Sequence, residues 1–162
     1  TRGQLAALKV ATCVGPLRGE ATLLARLPRR WGPALLDAGT LPDDAVGAAR
    51  GASYIATEWA QGAALAPTEL RGNRERAAAV VAHGVARGLA ELHEAGVRHG
   101  DVKPANIILS GRDPVRDAAS ERGATLIDLG LADAAIDGPL RGATLRYLAP
   151  ELTAEGAVPG PE

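Results

Sequence analysis

Bulky apolar side chains are scarce: the 162 residues include no phenylalanine and no methionine, with two tryptophans and two tyrosines. Any core must rest on Leu, Val, Ile and Ala, which bury less area per residue than aromatic rings do. A single cysteine, Cys13, excludes an internal disulfide, and the reducing cytoplasm is the expected setting. The formal net charge of -1 gives no basis for binding nucleic acid or an anionic membrane surface through bulk charge. No apolar run approaches the roughly 20 residues needed to cross a bilayer, so no membrane segment is expected in this chain. The opening "TRGQLAALKV" also lacks the apolar stretch and cleavage pattern of a secretory leader. A length of 162 residues suits one domain.

What is present alternates between sheet and helix patterns. "LAALKVA" (Leu5–Ala11) is a short apolar run broken by Lys9 and reads as a strand. "GEATLLARLP" puts Leu23, Leu24 and Leu27 on one helical face, with Pro28 as the stop. "PALLDAG" and "ASYIATEWA" read as two further strands separated by the turn-prone "TLPDD". The Gly- and Pro-bearing "WAQGAALAPTELRGN" reads as a hinge. Beyond it, Val81, Val85, Leu89 and Leu92 form the stripe of an amphipathic helix, with Asn73 as its expected N-cap and Gly96 as its stop. Two short strands follow, "NIIL" and "ATLIDLG", joined by a charged loop from Ser110 to Gly123. The remainder, from Leu131, reads as loop.

One stretch does not fit a simple core. "VRHGDVKPANIIL" (Val97–Leu109) sets Asp101, Lys103 and Asn106 among residues that otherwise read as buried strand. Unpartnered polar groups in such a strand would be costly to bury. The pattern suits a loop that grips something charged at the edge of a core.

The motifs around that loop carry a family resemblance. "HGDVKPAN" (His99–Asn106) resembles the catalytic loop of eukaryotic-like protein kinases, usually H-R-D-x-K-P-x-N. "DLG" (Asp128–Gly130) looks like their metal-binding D-F-G. "APE" (Ala149–Glu151), preceded by "TLRYL", is similar to the motif that closes their activation segment. Upstream, "AALK" (Ala6–Lys9) resembles the V-A-x-K strand, and Glu20 stands where that lysine's helix-borne glutamate partner would be. Five motifs in order outweigh any one of them.

The resemblance implies an α+β, two-lobed fold. It also implies a partial N-lobe over residues 1–60 and a partial C-lobe over residues 61–162. The implied activity is that of a serine/threonine protein kinase of bacterial type, moving the γ-phosphate of ATP to a hydroxyl of a protein substrate. Lys9, held by Glu20, would bind the α- and β-phosphates. Asp128 and Asn106 would hold Mg²⁺, a hard cation suited to oxygen ligands. Asp101 would orient the acceptor hydroxyl and take its proton, while Lys103 would steady the γ-phosphate. Adenine would lie between Ala7 and Ile108, with its edge bonded by the Glu58 carbonyl and the Ala60 amide. Thr57 would be the gatekeeper at the back of that pocket. Thr144 falls where a threonine commonly touches the catalytic aspartate and lysine.

Four departures qualify the match. Gly100 replaces the usual arginine before the catalytic aspartate, and Leu131–Leu148 holds no serine and no threonine but Thr144. Activation is therefore expected not to depend on a phosphate in that segment. Nothing before Lys9 resembles the G-x-G-x-x-G loop, and nothing after Glu151 supplies the helices of the larger lobe. A fragment of a kinase domain, incomplete at both ends and weakly active or inactive by itself, is expected. The rivals are a small-molecule phosphotransferase of aminoglycoside-kinase type, which also carries "HGD", and a pseudokinase acting as an interaction module.

Overall fold

The computed structural model describes residues 5–11, 14–27, 32–42, 51–65, 74–110, 123–132 and 144–150. Its elements are β1 (Ala6–Ala11), α1 (Val14–Arg26), β2 (Leu35–Thr40), β3 (Ser53–Glu58), β4 (Ala63–Ala64), α2 (Arg74–Glu94), β5 (Ile107–Leu109) and β6 (Ala124–Leu126). Short 3-10 turns occupy Pro104–Asn106 and Leu145–Tyr147. The mixture of helix and antiparallel sheet is the expected α+β content.

Two three-stranded sheets organise the chain. In the first, β3 lies between β1 and β2, and both pairings are antiparallel. Period-two alternation along β1 sends Ala7, Lys9 and Ala11 to the face shared with Thr57, Ile55 and Ser53 of β3. Leu8 and Val10 point to the opposite, exposed face. Helix α1 covers the first of these faces. Leu17, Leu23, Leu24 and Leu27 are buried on it and pack with Ile55, each burial contributing roughly 1.5–3 kcal/mol.

The second sheet runs β4-β5-β6, antiparallel throughout, with Ala64 opposite Ile108 and Ile107 opposite Leu126. Helix α2 packs on it through Val81, with Val85 and Leu89 half-buried at its margin. Ala77 and Gly84 are buried on the same helix, so the contact stripe is wider than its large apolar residues suggest. Leu92, fully buried at the far end of α2, joins Val97 and Leu129 in the cluster formed by α1 and Ile55. One apolar core thus ties the first sheet and its helix to the start of the catalytic-loop region.

Several boundaries differ from the sequence reading. Helix α1 begins at Val14, ahead of the leucine-rich stretch that signals it, because the earlier residues add one buried leucine, Leu17. The hinge contains β4, a strand too short to show a period, which exists because its backbone pairs with β5. The strand expected over "ATLIDLG" stops at Leu126, since Asp128 adopts a left-handed conformation (φ 69°) that no strand accepts. Gly96 (φ 72°) follows α2 as expected of its stop. Cys13, Pro28, Asn73, residues 111–122, Arg141 and Glu151 lie outside the described residues.

Candidate active site

Strand β1 and helix α1 bring Lys9 and Glu20 together, and the turn after β6 brings Asp128 to them. Lys9 Nζ lies 2.9 Å from Glu20 Oε2 and 2.7 Å from Asp128 Oδ1, the second contact spanning 119 residues of chain. Burial opposes the ammonium charge, but the hydrogen bonds from Lys9 to Asp128 and Glu20 outweigh it and raise the Lys9 pKa above its ordinary value. Burial also acts on Asp128, where the Lys9 bond and charge prevail and hold the carboxyl below its ordinary range. Glu20 is different. It is buried to 6 % exposure, and this desolvation, with the nearby Asp128 charge, raises its pKa despite the Lys9 bond. The amine is thus stabilised by two carboxylates, while Glu20 is the one of the three whose shift follows burial.

Asp128 holds this place in a left-handed conformation (φ 69°), which aspartate tolerates better than most residues because its short side chain can bond the backbone locally. The Gly130 N–H donates to Asp128 Oδ1 at 3.1 Å, capping the turn locally.

A second polar group lies on the catalytic loop. Lys103 Nζ donates to Asp101 Oδ2 at 2.6 Å and to Thr144 Oγ1 at 3.0 Å, and Thr144 Oγ1 donates to Asp101 Oδ1 at 2.6 Å. The Asn106 amide donates to the Asp101 carbonyl at 2.9 Å and to Asp101 Oδ2 at 3.2 Å. Burial alone would raise the Asp101 pKa. The Lys103 and Thr144 bonds, the Lys103 charge and the Asn106 bond together hold it below the usual carboxylate range. The 3-10 turn Pro104–Asn106 makes this possible in a few residues by turning Asn106 back onto Asp101. Ile127 N then donates to Asn106 O at 2.9 Å, which sets the loop beside the Asp128 turn.

His99 is packed within the loop. It is wholly buried, accepts from Asp101 N at Nδ1 (3.3 Å) and places Nε2 3.2 Å from the Ile127 carbonyl. Those partners fix the tautomer with the proton on Nε2. Gly100 adopts φ 77°, and a β-carbon built there would stand 2.8 Å from the Leu131 carbonyl oxygen. The backbone after the DLG motif therefore packs directly on the catalytic loop where the related pattern carries arginine.

The first of these groups borders an open cleft of about 370 Å³. Ala7, Thr57, Glu58, Ala60 and Ile108 line it together with Lys9, Glu20 and Asp128. Asp101, Lys103 and Asn106 stand next to it on the loop rather than in its lining. Trp59 is 51 % exposed and lines the cleft. Sequence reasoning missed the Glu58 carboxylate, which accepts from Ala34 N at 3.3 Å, and the Gly100–Leu131 contact. Neither has a sequence signal, because both depend on backbone atoms brought in from other elements.

The donor set suits the implied cofactor. Asp128 offers a carboxylate and Asn106 an amide oxygen not used in the bonds above, and Mg²⁺ is usually held by one or two carboxylates completed by phosphate oxygens. The ammonium of Lys9 beside Asp128 supplies a cation for the same polyanion.

The family model for the protein kinase domain matches residues 47–161. The serine/threonine-protein kinase PkaB of Streptomyces coelicolor is 45 % identical over 91 residues, covering 52 % of this chain and 21 % of the relative. The chain therefore spans about a fifth of the length of that curated relative. Lys9 and Glu20 precede the matched span, so geometry rather than likeness joins them to Asp128. With most of its length matched to that model, the chain belongs to the protein kinase domain family.

Proposed function

We propose that this chain is the catalytic region of a serine/threonine protein kinase that transfers the γ-phosphate of ATP to a protein hydroxyl. The observation that carries the reading is the meeting of Lys9, Glu20 and Asp128, contributed by a strand, a helix and a distant turn, at the mouth of one cleft. Family membership and the PkaB relative support it. The division at residues 60/61 follows, with the linker Glu58–Ala60 between an upper and a lower lobe.

ATP with Mg²⁺ supplies the phosphoryl group and the charge screening that its transfer needs. Lys9, steadied by Glu20, binds phosphate oxygens. Asp128 and Asn106 hold the metal. Ala7 and Ile108 sandwich adenine, whose edge bonds to the Glu58 carbonyl and the Ala60 amide. Asp101 orients the acceptor hydroxyl and takes its proton on a carboxylate oxygen, exchanging the Thr144 hydroxyl for that of the substrate. Lys103, already on Asp101, neutralises charge gathering beside it. No helix among the described residues is long and apolar enough to cross a membrane. The cytoplasm, where ATP is supplied and a lone cysteine stays reduced, is the proposed location.

The test uses γ-labelled ATP with Mg²⁺, offered in parallel to a mixed protein acceptor, an aminoglycoside and choline. Label on protein serine or threonine, reduced by about 10²–10⁴ in Asp101→Asn, is expected. Label confined to a small-molecule acceptor contradicts the reading.

A further inference from the structure

We propose that the cleft reads the base and the phosphates of its nucleotide but not the sugar 2′-hydroxyl, so that 2′-deoxy-ATP is bound as well as ATP. This rests on the nucleotide-site reading above and specifies its substrate class.

The sugar of a nucleotide lies between base and phosphates, so its place follows from theirs. The phosphate end is marked by Lys9, Glu20 and Asp128, and the base edge by the linker Glu58–Ala60. The lower wall between them is β4 and the residue before it, Gly62 and Ala64, backed by Ile108 through its pairing with Ala64. Among the described residues this wall has no hydrogen-bonding side chain. At Gly62 it cannot have one, because φ is 137° and a β-carbon would collide with the Leu109 carbonyl oxygen. At Ala64 the side chain is an exposed methyl group, so position 64 decides what the sugar meets.

Four of the polar side chains that line the cleft are engaged elsewhere. Lys9, Glu20 and Asp128 bond one another, and the Glu58 carboxylate accepts from Ala34 N. Thr57 is opposite Ala7, at the base end. A site built to bond a hydroxyl rejects the analogue lacking it, because its own polar groups are then left unpaired. An apolar wall has nothing to leave unpaired and discriminates weakly.

Isothermal titration of the full chain with ATP and with 2′-deoxy-ATP, both with Mg²⁺, tests this. The two dissociation constants should agree within about threefold, less than one net hydrogen bond is usually worth. A deoxynucleotide bound tenfold or more weakly overturns the proposal, whichever group reads the hydroxyl, the Trp59 N–H included. Ala64→Asn should open a preference for ATP of roughly tenfold by giving the wall an acceptor. An Ala64→Asn variant whose two constants remain equal overturns the placement of the sugar against β4. Binding of neither nucleotide by the parent chain refutes the nucleotide-site reading itself, and this inference with it.

Discussion

Glu20 and Asp128 share one lysine, yet their pKa values move in opposite directions, and that difference separates stability from function at single residues. For Glu20 the folded-state pKa is raised above 4.5, chiefly by burial. The folded state then binds the proton more tightly than the unfolded one. Its stabilising contribution is complete below pH 4.5 and is lost as pH rises through the folded value. Glu20→Gln should therefore lose no thermal stability at pH 7, while nucleotide affinity falls because Lys9 is held from one side only. The wild type should gain on the variant as the pH is lowered through the folded Glu20 value, a trend that melting curves from about pH 4 to 8 would register. Asp101 and Asp128 have lowered values, so their contribution is present above pH 3.8 and is lost as pH falls through their folded values. Gly100 adds a steric case. Gly100→Ala meets both a left-handed backbone and the Leu131 carbonyl, and should destabilise by at least about 1–2 kcal/mol in urea unfolding.

At the level of elements, the core explains which parts hold the site in place. Leu92 is fully buried where α2 meets the cluster of α1, Ile55 and Leu129. Leu92→Ala should cost about 2–5 kcal/mol by opening a cavity between the two halves. Leu36, 45 % exposed on β2, should tolerate the same change within about 0.5 kcal/mol. A shared shift in urea midpoint for both variants would show that the cluster does not join the halves. The elements legible in the sequence are those with a strong period. Helix α2 shows its stripe from Val81 to Leu92, and β1, β2 and β3 show as apolar runs near their observed limits. Strand β4 is hidden because two residues carry no period, and it forms only through pairing with β5. The 3-10 turn at Leu145–Tyr147 is hidden for a related reason. It follows from the Tyr147 N–H on the Thr144 carbonyl, while the Thr144 side chain is pinned to Asp101.

For the molecule as a whole, the candidate residues are legible in the sequence but their arrangement is not. Lys9, Glu20, Asp101, Lys103, Asn106 and Asp128 can be named as candidates from the order of short motifs, since the phosphoryl transfer proposed above would restrict both residue type and spacing on one loop. Their distances cannot. The contact between Lys9 and Asp128 depends on how two sheets and two helices pack, which no local pattern encodes. The exposure of the Trp59 side chain is hidden on the same ground, because a large apolar residue beside a linker is packed or exposed according to tertiary neighbours alone. On the proposed reading, groups 119 residues apart in the chain hold one ligand. The most direct test is the thermodynamic stabilisation of the chain by ATP with Mg²⁺, compared among wild type, Lys9→Met and Asp128→Asn. The wild type at about one hundred times its dissociation constant should gain about 2.7 kcal/mol, and at that same concentration each variant should lose most of the gain. A Lys9→Met variant stabilised as strongly as the wild type would contradict the account.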